Sequence, residues 1–202
     1  MSAHTRSYAY DGWWFIAFVG LVFVGSAVVS LPDSDRPPDT VQAFYQAHRT
    51  AVTVTQVAGL VAAGVLLVVL RALLRWLGGG WPLVVTGSLV ALASVAAAVP
   101  VLWLAYGADL DGSATTSLTR WTDRTDDILF AVIGLFAVVL STVAPRTALR
   151  IGCAVVAVLC AVRGIGGAFG FTALDIVAPL SFLVLMVWLG AARLRAGRVT
   201  GT

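Results

Sequence analysis

Six apolar stretches run through this chain, and the charges in the gaps between them alternate in sign. Crossing a hydrocarbon core about 30 Å thick takes roughly 20 residues of helix. Within lipid every backbone N–H and C=O has to find its partner inside the segment, so stretches of this kind fold as helices. The expected spans are 13–31, 51–70, 81–104, 128–144, 151–171 and 173–190. The expected fold class is therefore all-α: one polytopic membrane bundle over residues 1–202, with six transmembrane helices in three hairpins. Trp13 and Trp14 open the first span as interfacial anchors. Its apolar core is long for a signal peptide and five spans follow, so it reads as retained.

Composition points the same way. Apolar residues make up 59% of the chain, charged residues 11%, and mean hydropathy is +0.94. A soluble domain of this length needs far more polar surface. Every basic side chain is Arg and every acidic one Asp; Lys, Glu and Asn are absent. A Schiff-base lysine and a HExxH metal site are thereby excluded. The only histidines, His4 and His48, lie in the tail and in a loop, which excludes a bis-histidine haem within the bundle. Neither a cofactor nor a bound metal is expected. The basic residues sit at helix ends without interleaved aromatics, so nucleic acid is not an expected partner. Cys153 and Cys160 share a helix face about 10 Å apart along the axis, too far for a disulfide.

Orientation follows from the arginines. Arg6, Arg71, Arg75, Arg146, Arg150, Arg193, Arg195 and Arg198 fall on one side against Asp11 alone, and the other nine Asp fall opposite. The positive-inside rule then places both termini in the cytoplasm. The Arg-only, Asp-only, Ala/Val/Gly-rich composition suggests a GC-rich bacterial genome, so the expected setting is the inner (plasma) membrane of a bacterial cell.

Three groups of residues are candidates for function. Arg163 lies twelve uncharged residues beyond Arg150, about 20 Å along the fifth span, with Gly164, Gly166, Gly167 and Gly170 around it. An ionisable group at that depth calls for a partner, and Asp175, expected in the first turn of the sixth span, is placed to supply one. A structural ion pair, a snorkelling Arg and a ligand site all fit. The second group is Asp123-x-x-Asp126-Asp127, with Asp109 and Asp111 upstream, in an expected outer loop over 105–127. Such spacing has the look of magnesium-diphosphate binding. The outer placement and the interleaved Arg120 and Arg124 favour a solvated acidic loop, with Asp126 and Asp127 at the positive end of the fourth helix dipole. The third candidate is His48. Asp39 and Gln42 resemble a capping box, and Val41, Phe44, Tyr45 and His48 then share one helical face, as an interfacial helix or a lead-in to the second span.

The elements Pro37-Pro38-Asp39 through Ala43-Phe44-Tyr45-Gln46-Ala47-His48-Arg49, the Ala144-Pro145-Arg146 turn and the Val187-Trp188-Leu189 finish resemble small actinobacterial membrane proteins of the domain-of-unknown-function 4386 type. The resemblance implies a six-helix bundle and supplies no catalytic residue.

Few polar groups lie within the spans, so the leading expectation is a non-enzymatic protein with the lipid bilayer as its solvent. It would act as a subunit for a membrane-protein partner, or bind a small lipophilic molecule between hairpins. An integral-membrane enzyme acting on a lipid or isoprenoid and a small oligomeric transporter remain the alternatives.

Overall fold

The computed structural model describes residues 3–32, 35–107, 110–167, 169 and 173–199, the side chains of 3–10 and 196–199 apart. Among the described residues the fold is entirely helical: α1 (Ala3–Val28), α2 (Pro38–Ala47), α3 (Arg49–Leu77), α4 (Gly80–Tyr106), α5 (Gly112–Val143), α6 (Thr147–Gly167) and α7 (Val177–Val199). All but α2 are long and apolar enough to cross a membrane. The protein is a multi-pass membrane helical bundle.

The helix ends follow from local chemistry. α3 stops at Gly78, whose φ of 66° is the left-handed cap conformation that glycine adopts without a Cβ penalty, and its N–H donates to the Leu74 carbonyl at 3.0 Å. Gly80, at φ 61°, turns the chain directly into α4. α5 starts at Asp111, whose carboxylate accepts from the Ala114 N–H at 2.6 Å and the Ser113 hydroxyl at 2.9 Å. Those donors hold the Asp111 carboxyl below the usual carboxylate range. At the α5–α6 turn Arg150 Nε donates to the Ala144 carbonyl at 2.7 Å, tying down a backbone group left free by the end of α5.

The six long helices pack in a ring. Each lies on its neighbour in the order α1, α3, α4, α5, α6, α7, and α7 returns to α1. The α5–α6 contact is the most extensive, whereas α6 and α7 touch sparingly. The expectation of three hairpins therefore describes connectivity better than packing: the tightest pair is joined across the short basic turn and spans two of those hairpins. Close approach explains this. A Cβ at Gly164 would stand 2.7 Å from both the Ala131 nitrogen and the Asp127 carbonyl, and one at Gly134 3.2 Å from the Ala157 carbonyl. Only hydrogens at these positions let the two backbones meet.

One main core fills the ring, with Phe15, Leu66, Leu73, Leu83, Phe136, Leu140, Leu149, Leu185 and Met186 fully enclosed. A second, smaller core lies at the end of the bundle away from the termini. Here α2 packs on α4 and α5 and buries Val41 and Tyr45 against Val52, Val101, Leu104, Ala105 and Leu118. Burial, with the Asp123 charge adding to it, pushes the Tyr45 hydroxyl up to about 12. Arg49 fastens the same region: its Nε donates to the Ala105 carbonyl at 2.8 Å, and its guanidinium lies 5.0 Å from the Tyr106 ring centroid.

Several sequence expectations change. Residues 112–127, expected within a loop, form the first half of α5; at 32 residues the helix is about 48 Å long, well beyond a 30 Å core. Their polarity is absorbed within the helix, because the hydroxyls of Thr115, Thr116, Thr119, Thr122 and Thr125 all donate to carbonyls of the preceding turn. Asp126 and Asp127 consequently stand about four turns into α5 and not at its positive end. Asp39 lies in the first turn of α2, whose cap is Pro37, and makes no capping-box bond. Asp175 sits in the turn before α7 and not in a first helical turn. Gly170 and Asp109 lie outside the described residues.

Candidate functional site

Toward the end of the bundle away from the termini, Arg163 of α6 is the centre of a charged cluster. Nη1 donates to Asp127 Oδ1 at 2.6 Å, Nη2 lies 3.7 Å from Asp126 Oδ2, and Nε abuts Asp175 Oδ1. The three carboxylates differ in surroundings. The Asp127 side chain is 15% exposed, close to the 12% of Arg163 itself, while Asp175 and Asp126 are 42% and 48% exposed. Asp127 is therefore the enclosed partner, and the other two keep free surface. A Cβ at Gly167 would collide with both Asp127 Oδ1 and Arg163 Nη1, so that glycine leaves the space in which the pair forms.

The Arg163 guanidinium also lies 5.4 Å from the Phe130 ring centroid. Phe130 in turn lines a cavity of about 300 Å³ within the ring of helices. That volume is at the lower end of the range that small-molecule sites occupy. Its walls come from α1 (Phe18, Leu21, Val22, Gly25, Ser26), α3 (Thr55, Gln56, Gly59, Ala62, Ala63), α4 (Ser94), α5 (Asp126, Leu129, Phe130, Ile133) and α7 (Pro179, Phe182, Leu183). Asp126 is the one ionisable residue among them. Of the lining hydroxyls, Ser26 and Ser94 donate to carbonyls of their own helices, at 2.8 and 2.9 Å, whereas Thr55 Oγ1 is buried with no hydrogen-bond partner. Phe18 and Phe182 meet edge to face, 6.1 Å between centroids, on the wall formed by α1 and α7.

The remaining sequence candidates lie apart from this chamber. His48 is exposed at the junction of α2 and α3, with its ring 4.7 Å from that of Phe44. Asp123 is exposed on α5, one turn before Asp126, and acts electrostatically on Tyr45. The Asp123-x-x-Asp126-Asp127 sequence is accordingly not one free carboxylate cluster, since Asp126 and Asp127 meet Arg163 while Asp123 stays exposed.

Sequence reasoning overlooked a second ionic cluster. At the end of the bundle nearer the termini Asp11 is buried between two arginines: Arg75 Nη2 donates to Oδ1 at 2.7 Å and Arg193 Nη2 to Oδ2 at 3.2 Å. Arg193 is itself buried, with its guanidinium 5.9 Å from the Trp76 ring centroid. The cluster joins α1, α3 and α7. Its signal in the sequence was the one acidic residue among the eight arginines of that side.

Comparison of the chain with known protein families, with curated proteins and with solved structures finds no match.

Proposed function

We propose that this protein is a non-enzymatic membrane protein that binds a small lipophilic molecule in the chamber between its helices. The observation that carries this reading is the chamber itself: an apolar cavity of about 300 Å³ provided with a carboxylate and an unsatisfied hydroxyl. The catalytic alternative has less support. Two of the three lining hydroxyls are committed to backbone carbonyls, and His48 lies at the α2–α3 junction, so among the described residues of the wall no histidine stands beside a hydroxyl. The likeness to the actinobacterial domain-of-unknown-function 4386 type transfers no residue role, and the reading rests on geometry.

The test is to remove the chamber. Ser94→Leu fills it from α4 and leaves every member of the charged cluster unsubstituted. Native mass spectrometry of wild-type protein released from its membrane should show an adduct smaller than a phospholipid that Ser94→Leu lacks. Identical adduct patterns in the two proteins would refute the reading.

The orientation we propose has both termini in the cytoplasm of a bacterial cell, with the α2 cap and the first half of α5 outside. The excess of Arg at the ends shared with the termini supports it. A cytoplasm-dependent fluorescent reporter at Thr202 and a periplasm-active phosphatase after Ser113 should both give signal. Silence from both would invert the topology.

A further inference from the structure

We infer that the chamber is selective for an organic ammonium ion, with the charged nitrogen held between Asp126 and the aromatic side chains of Phe18, Phe130 and Phe182. This rests on the binding reading above and names the chemistry of its ligand. Three observations carry it. First, Arg163 faces three carboxylates, so with all of them ionised the cluster keeps two negative charges that the guanidinium does not neutralise. Second, the excess is presented to the chamber. Asp126 has the longest contact with Arg163, 3.7 Å, keeps about half its side chain exposed, and is the only ionisable group among the described residues of the chamber wall. Arg163 does not line the chamber, while Phe130, which its guanidinium approaches, does. The ligand therefore meets the carboxylate and the ring but not the arginine. Third, the rest of the wall is uncharged and mostly apolar, with three aromatic rings among its residues. A carboxylate facing such a wall is stabilised by a cation beside it, and ring faces attract a desolvated ammonium in the same way. An anion would meet Asp126 with no lining cation to offset it. A neutral molecule would leave Asp126 with only its 3.7 Å contact to a guanidinium that three carboxylates share.

The probe is benzyltrimethylammonium, and its control is neopentylbenzene, the neutral molecule of the same shape. Thermal unfolding is followed in phosphatidylcholine nanodiscs, whose zwitterionic lipid does not itself concentrate cations, and a bound ligand raises the midpoint. The cation should stabilise wild-type protein at concentrations where the isostere does so weakly or not at all. Asp126→Asn should need at least tenfold more cation for the same shift and should leave the response to the isostere unchanged. Should Asp126→Asn not fold, Asp126→Glu is expected to retain the response and Phe182→Leu, which keeps an apolar wall without a ring, to weaken it for the cation alone. Equal action of both probes, action of the isostere alone, or indifference of the cation to all these substitutions overturns the inference. The binding reading survives those results if the isostere shift disappears in Ser94→Leu. If neither probe shifts the wild-type midpoint, or if both shifts persist in Ser94→Leu, both readings fall.

Discussion

Replacing Arg163 by Leu should be among the most damaging single substitutions in the bundle, and most of the damage should trace to one carboxylate. The guanidinium is enclosed, and its Nη1 bond to Asp127 at 2.6 Å joins two side chains only 12% and 15% exposed. Breaking an enclosed pair from one side costs about 3–5 kcal/mol, because the remaining charge is stranded. Asp175 and Asp126 keep 42% and 48% of their side-chain surface, and pairs so little enclosed contribute about 1 kcal/mol or less. Double-mutant cycles separate these terms. Unfolding free energies are measured by denaturant titration in mixed micelles for Arg163→Leu combined in turn with Asp127→Leu, Asp126→Leu and Asp175→Leu. The coupling energy should reach about 2–3 kcal/mol with Asp127 and stay below about 1 kcal/mol with each of the others. Removing Asp127 together with Arg163 should thus restore part of what the single substitution loses. Coupling to Asp175 equal to or larger than that to Asp127 would refute the argument from enclosure. Additivity in all three cycles would show that Arg163 is paired with none of them.

Three further expectations follow from particular contacts. Gly164→Ala places a Cβ 2.7 Å from two backbone atoms of α5 and should cost about 1–3 kcal/mol in the same unfolding assay, whereas Gly20→Ala, which meets nothing within 4 Å, should be neutral or slightly stabilising. Asp11→Ala removes the carboxylate that Arg75 and Arg193 share, and should lower stability by about 1–3 kcal/mol; no measurable loss would mean that the cluster contributes nothing to holding α1, α3 and α7 together. The neutral Tyr45 hydroxyl is favoured in the folded state, so its contribution is complete below the ordinary pKa of 10.0 and is lost as pH rises from there to about 12. Phenolate absorbance should show one of the four tyrosines ionising last, in step with loss of the α2 cap, and Tyr45→Phe should abolish that final phase.

The six spans were legible because apolar length alone dictates them, and Arg163 stood out because charge is rare at its depth. The first half of α5 was not legible. Thr, Ser and Asp over 112–127 have the composition of a loop, and the helix emerges only because each hydroxyl finds a carbonyl one turn back while Leu118 finds the underside of α2. The signal available was Asp111 three residues before Ala114, an N-cap spacing, followed by buried positions at 115, 118 and 119. Once 112–127 is read as loop, Asp127 sits at a helix start with the dipole as its explanation, and its pairing with Arg163 is hidden. Seeing that pair also required knowing that α5 and α6 pack most closely, a property written in Gly134 and Gly164 on two different spans. The Asp11 cluster needed more still, since it depends on α7 closing the ring against α1.

That closure has a bearing on how the protein is made. Asp11 and Arg193 are 182 positions apart, so during synthesis the first helix enters the bilayer long before one of its cations exists. Arg75 arrives sooner, at the end of α3, and can hold the carboxylate meanwhile. Phe15 and Phe18 wait with it, because the α7 residues that cover them, among them Gly190 and Phe182, come late in the chain. A nascent bundle of five spans is therefore an open arc with an aromatic seam along α1, the kind of exposed surface that a membrane insertase or a neighbouring chain would occupy until α7 displaces it. Sealing of that seam depends on α7 reaching α1, because Gly190, Phe182 and Arg193 are the α7 residues that meet Phe15, Phe18 and Asp11.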